Sequence, residues 1–255
     1  VIIPQTERKL VAWWKFDEAE GSNAVDSSDN EFAGTLIGNP QWQPAAGKIG
    51  GALAFDGDGD SIECGPDEGL NITGAVTIAA WIKLSKSTAD QKIAGNQDNI
   101  SGGYKLSIFS DKAELEVRDS GNLLRNNRFV DGGTVLQPDV WYHIVGTYSQ
   151  GGSIKTYVNA KLDREQETTN ILAASSGPLK IGCLMDDLRI YNYPLSDAEV
   201  EALYAGKETP STAPEIVAAS GERTGTSNYL ILVLVIVVIA AVAAGLAIRS
   251  KKTKA

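Results

Sequence analysis

The chain has 255 residues and a formal net charge of −9, enough for one domain of ordinary size with further segments attached. Its first 228 residues hold all 32 acidic side chains and all but four of the 23 basic ones, a balance that favours solubility and argues against nucleic acid or anionic lipid as a partner. The two cysteines are too few for a disulfide-dense scaffold and lack the CxxC spacing of a metal or redox motif.

Residues 1–9 read as a lead segment, and since the chain begins at Val1 an export signal peptide is expected to have been removed upstream. From residue 10 to about residue 158 the texture is one of short β-rich runs separated by Gly, Asn, Asp and Ser. They are LVAWWKF (10–16), GALAFDG (51–57), SIEC (61–64), VTIAAWIKL (76–84), YKLSIFS (104–110), AELEVR (113–118), WYHIVGTYS (141–149) and SIKTYVN (153–159). In VTIAAWIKL one face takes Val76, Ile78, Ala80, Ile82 and Leu84 and the other takes Thr77, Ala79, Trp81 and Lys83. Many short strands with turns at this spacing predict an all-β, two-sheet antiparallel sandwich.

SQGG (149–152) and the Asn159-Ala160 pair predict successive hairpins between Trp141 and Leu162. LKIG (179–182) and LMDDLRIYN (184–192) read as closing strands. A short helix follows, with Ser196 as N-cap, Glu199 completing a capping box and Gly206 beyond its end. Residues 207–228, rich in Ser, Thr, Pro, Gly and Ala and without aromatics, read as a flexible stalk.

Residues 229–248, YLILVLVIVVIAAVAAGLAI, carry no charge, proline or amide. As a helix they span roughly 30 Å, the thickness of a bilayer's hydrocarbon core, and predict one transmembrane helix. The basic tail 249–255, with Arg249, Lys251, Lys252 and Lys254, places the C-terminus in the cytoplasm and residues 10–206 outside. The expected location is therefore the cell membrane. The pairs Ala240/Ala244 and Ala241/Gly245 have the spacing that lets a second helix approach closely. In an oxidising exterior Cys64 and Cys183 are expected to close one disulfide, and Asn71 and Asn99 head N-glycosylation sequons.

Four segments, LVAWWKFDEAEGSNAVDSSDNEFAGTL (10–36), GKIGGALAFDGDGDSIE (47–63), VTIAAWIKL with WYHIVGTYSQGGSIKTYVN, and MDDLRIYNYPLSDAEVEALYAG (185–206), together resemble the laminin-G-like jelly roll, also called the concanavalin A-like lectin/glucanase fold. The resemblance covers residues 10–206 and implies a jelly-roll sandwich closed by a short C-terminal helix. One departure is visible: only Gly182-Cys183-Leu184 precedes the final strand, where the family usually has a longer loop with a glycine-aromatic turn. The resemblance also implies one structural calcium ion tying first and last strands. The matching positions are Asp17, Asp26 with Ser28 and Asn30, and Asp186 or Asp187.

Glucanases on this fold use paired carboxylates with an acid between them. Here the nearest pair, Glu114 and Glu116, is separated by Leu115, so a solvated strand face is expected and no catalytic residue is assigned. His143, the lone histidine, reads as structural. FDGDGD (Asp56, Asp58, Asp60) lacks the later positions of an EF-hand loop and reads as a turn. Trp81, Trp141 and one of Trp13 and Trp14 read as core aromatics. The other of that pair, with Trp42, Tyr104 and Tyr193, is left to stack on sugar rings.

The expected function is a non-catalytic, membrane-anchored module outside the cytoplasm that recognises a glycan or a surface protein. The alternatives are an accessory subunit of a membrane or envelope assembly and an anchored glycoside hydrolase.

Overall fold

The computed structural model describes residues 8–56, 59–65, 67–85, 90–97, 102–118, 127–169, 171–175 and 177–207. The stalk beyond residue 207, the apolar run 229–248 with its small-residue pairs, the basic tail, Asp58 and Asn99 lie outside the described residues. Among the described residues no helix is long and apolar enough to cross a membrane.

In chain order the strands are β1 (Leu10–Trp14), β2 (Asn23–Ala24), β3 (Gly34–Ile37), β4 (Gln41–Gln43), β5 (Ala52–Ala54), β6 (Ser61–Cys64), β7 (Ala75–Lys83) and β8 (Asp90–Gly95). They continue as β9 (Gly103–Phe109), β10 (Lys112–Arg118), β11 (Asn127–Asp131), β12 (Trp141–Ser149), β13 (Ser153–Val158), β14 (Lys161–Glu167), β15 (Leu179–Ile181) and β16 (Met185–Tyr191), followed by helix α1 (Asp197–Tyr204). They form two antiparallel sheets of eight strands each. The back sheet runs β14-β13-β12-β7-β16-β5-β4, with β1 also on β16, and the front sheet runs β11-β10-β9-β8-β15-β6-β3-β2. This is the jelly-roll sandwich that the strand texture predicts.

Alternation explains the core. Val76, Ile78, Ala80 and Ile82 of β7 and Ile144 and Tyr148 of β12 meet Tyr104, Leu106 and Ile108 of β9 and Leu115 and Val117 of β10, all fully buried. Gly146 lets the sheets pack closely at β12, since a Cβ there would stand 3.0 Å from Leu106 and from Leu115 and push both side chains aside. The β13–β14 turn places Asn159 and Ala160 at φ 52° and 64°, the paired left-handed residues of a tight hairpin turn.

The outer side of the back sheet is covered as well. Ala79, Val145, Tyr157 and Tyr191 pack under Tyr193, Leu195, Val200 and Leu203, forming a second apolar cluster beneath α1. Thr77 fastens this layer: its hydroxyl donates to the Tyr193 carbonyl (2.7 Å) and accepts from the Leu195 N–H (2.9 Å). The capping box at Ser196 and Glu199 forms as predicted.

Three expectations fail here. The cysteines are not bridged. Cys64 pairs with Leu179 across β6 and β15, whereas Cys183 lies in the connection after β15. Trp141 is half-buried at the start of β12, with the Lys83 Nζ 5.4 Å from its ring centroid, because it shares the outward parity of His143 and Val145. Glu114 and Glu116 are not a solvated face: their exposures are 9% and 7%.

Candidate functional site

The four residues expected around calcium part into three groups. Asp26 is consumed by its own loop, Oδ1 accepting from the N–H groups of Trp13 (2.8 Å) and Ser28 (2.8 Å) and Oδ2 from the Ser28 hydroxyl (2.7 Å) and the Phe32 N–H (2.9 Å). Asn30 donates to the Val11 carbonyl at 2.8 Å. These bonds pin the loop after β2 onto β1 in the manner of an Asx-turn. Asp187 belongs to a separate knot, accepting from Trp13 Nε1 (2.6 Å) and pairing with Arg189 (3.1 Å), whose Cζ stands 4.2 Å from the Trp13 ring centroid.

Asp17 and Asp186 do meet a common element. Asp17 Oδ1 accepts from the Gly51 N–H (2.7 Å) and Asp186 Oδ2 from the Ile49 N–H (2.6 Å), so both carboxylates brace the turn before β5. Gly51 is obligatory in that turn, since a Cβ would lie 2.5 Å from the Phe16 carbonyl oxygen. Asp187, at φ 52°, is the extra residue of a bulge in β16, which keeps Asp186 and Arg189 on the outer side together. Asp186 is fully buried with Oδ1 unpartnered, and burial pushes its carboxyl up to about 7. Among the described residues no three His, Cys, Asp or Glu side chains converge on one metal position. The set Asp17, Asp26, Asn30 and Asp187 therefore does not meet at one point, whereas Asp17 and Asp186 both reach the turn before β5.

The aromatics also sort by parity. Tyr104 is fully buried, its hydroxyl donating to the Leu70 carbonyl at 2.8 Å, and is no stacking platform. Tyr193 is 2% exposed and donates to Glu199. Trp42 is half-buried and donates to the Gly21 carbonyl at 2.9 Å. Trp14 is the core member of its pair. Trp81 is buried on the outer side of the back sheet, stacked on Tyr204 at 5.4 Å and tilted against His143 at 5.2 Å. His143 is structural in placement: burial, then the nearby Arg189, lowers its imidazole to about 3.

The front sheet's outer face carries a floor of charges. Lys105 of β9 lies 3.5 Å from Glu114 and 3.4 Å from Glu116 of β10, Arg118 lies 3.1 Å from Glu116, and Ser107 donates to Glu114. Burial raises the Glu114 carboxyl, Lys105 opposes that, and a hydrogen bond with Asp131 raises it further. Two exposed rings flank the floor: Phe109 at the end of β9 (47%) and Phe129 on β11 (48%), which pairs with Glu116. The sequence reading missed both, although Phe109 has the outward parity of Lys105 and Ser107.

Beside this floor, where β15 leaves the front sheet, a cleft of about 560 Å³ opens between the sheets. Phe55, Ile181, Cys183 and Leu184 form its apolar wall, and Gln91, Lys92 and Lys180 are among its polar groups.

The family model of the concanavalin A-like lectin/glucanases superfamily, in its laminin G form, matches residues 56–201, more than half of the chain, and the chain belongs to that superfamily. No curated protein sequence matches it. Among solved structures it resembles the binding domain of Paraclostridial Mosquitocidal Protein 1, at 17% identity and a TM-score of 0.65 over 78% of this chain and 52% of that one. It also resembles domain 4 of AbnA, an extracellular GH43 arabinanase from Geobacillus stearothermophilus, solved with arabinotriose, at 22% identity and a TM-score of 0.61 over 77% and 98%. A third is the ligand binding domain of botulinum neurotoxin serotype D with N-acetylneuraminic acid, at 18% identity and a TM-score of 0.62 over 78% and 51%. The chain spans about half the length of the toxin domains, and at these identities the likeness is one of fold.

Proposed function

We propose that the chain is a non-catalytic glycan-binding module displayed outside the cytoplasm and held at the cell membrane by residues 229–248. The observation that carries this reading is the front face, where a hydrogen-bonding floor of Lys105, Glu114, Glu116 and Arg118 lies between the exposed rings of Phe109 and Phe129. Sugar recognition asks for that combination: rings to stack on, and fixed polar groups for hydroxyls. The neighbouring folds solved with arabinotriose or N-acetylneuraminic acid support it as analogy. Glu114 and Glu116 are tied to cations, which favours binding over acid–base work.

The full chain, extracted with mild detergent from washed membranes, should bind members of a neutral and acidic oligosaccharide panel. Phe109→Ala and Phe129→Ala should each weaken binding roughly tenfold while leaving the melting temperature in place. Binding to no oligosaccharide, or loss of the chain from membranes in a salt wash, would overturn the corresponding half of the proposal. An accessory-subunit role would show instead as co-purification with a fixed stoichiometric partner.

One calcium ion belongs to the same reading as a structural element, with Asp17 and Asp186 as its carboxylates. The unpartnered Asp186 Oδ1 supports it, since a buried carboxylate oxygen without a donor calls for a cation or a proton.

A further inference from the structure

The three-residue connection from β15 to β16 crosses from the front sheet to the back sheet. Gly182 donates to the Ile93 carbonyl at 3.1 Å on one side, and the Leu184 carbonyl accepts from the Lys83 N–H at 3.0 Å on the other. So tight a crossing forces Cys183 to a φ of 76°, rare for a residue with a side chain. It also adds no chain above the gap between the sheets, and the cleft stands open there.

The charges beside the cleft are unevenly matched. Lys180 is paired with Glu63 at 2.6 Å, and Lys105 with Glu114 and Glu116. Lys92, half-buried on β8, makes no salt bridge among the described residues, although Lys105 and Lys180 are both close enough to repel it. Burial and those two cations lower its ammonium, with the exposed Asp90 and the buried Glu116 working against them. Asp60, an acid of the same cleft, is spent on the N–H groups of Asn39 and Asp56. Gln91 presents a buried, unpartnered Oε1 at the same place.

We propose that this cleft is a subsite for an acidic sugar, a pyranose bearing one carboxylate, with Lys92 receiving the carboxylate, Gln91 Oε1 accepting from a ring hydroxyl, and Phe55 with Leu184 against the apolar sugar face. The inference rests on the glycan-binding reading and names the class of glycan. Among the described residues of the cleft, Lys83 sits over the Trp141 ring and Lys180 is held by Glu63, which leaves the Lys92 ammonium to take a negative charge, and a half-buried position strengthens the pairing relative to open solvent.

The test is titration of the full chain in mild detergent with oligogalacturonide and sialyllactose, beside their neutral counterparts oligogalactoside and lactose. The expected result is preference for the acidic members, weakening with salt, with a ten- to hundredfold loss on Lys92→Gln, roughly the worth of one charged hydrogen bond, and recovery on Lys92→Arg. Equal binding of neutral and acidic members, or no loss on Lys92→Gln, would overturn the acidic subsite and leave the glycan-binding function standing. Binding of none would overturn both. Lys155→Gln, on the far sheet, is the control for a general charge effect.

Discussion

His143 lies beneath Tyr204 with Nδ1 buried and unpartnered, so a proton on its ring would be stranded. The unfolded chain takes up that proton near the ordinary imidazole value of 6.5, but the folded chain does so only near 3. Its neutral form therefore stabilises the fold fully above pH 6.5, and that stabilisation falls away as the pH drops toward 3. Asp186 works in the opposite sense, because its raised carboxyl weakens the fold as pH climbs from the usual 3.8 through about 7. The prediction is thus a difference. In urea unfolding between pH 7 and 4, the native chain should lose up to about 3 kcal/mol more than His143→Gln; parallel curves would show that the imidazole is charged in the fold. Tyr104 teaches a related lesson, since its parity with Leu106 and Ile108 already marks it as inward-facing.

The helix α1 is an element whose whole design is local. Ser196 accepts from the Glu199 N–H and Glu199 returns the bond to the Ser196 N–H, while Val200 and Leu203 seat it on the back sheet. Ser196→Ala should cost about 1 kcal/mol and speed amide exchange within α1 more than within β7; unchanged exchange there would mean that packing alone holds the helix. The strands absent from the sequence reading, β2, β3, β4, β8 and β11, together with β14 beyond Leu162, are illegible for a different reason. β14, KLDREQE, is exposed along most of its length and owes its strand form to β13 alone, and β8, DQKIAG, is bulged against β9 and breaks its alternation. Neither carries a period of two, so only pairing partners distant in sequence make them strands.

At the scale of the whole molecule, the ends of the domain meet at the turn before β5, where Asp17, Ile49, Gly51 and Asp186 join residues far apart in the chain. An ion bound there would stabilise the folded state alone. On going from chelator to millimolar calcium the melting temperature should rise by several degrees, and Asp186→Asn should abolish the rise. A native chain indifferent to calcium would sink the ion.

What the sequence determined by itself follows from short-range rules. Period-two alternation marks the inner strands, the Ser196–Glu199 spacing marks the helix, and the apolar run 229–248 stands out against everything before it. Which side chains share a site was decided only by the tertiary structure. It separated Asp26 from Asp17, set Cys183 apart from Cys64, buried Glu114 and Glu116 among cations, and left Lys92 facing an open cleft. The physical reason is register: whether two distant residues become neighbours depends on which strands pair, where bulges shift them and how short a connection is, and none of these is written in the local pattern of one strand.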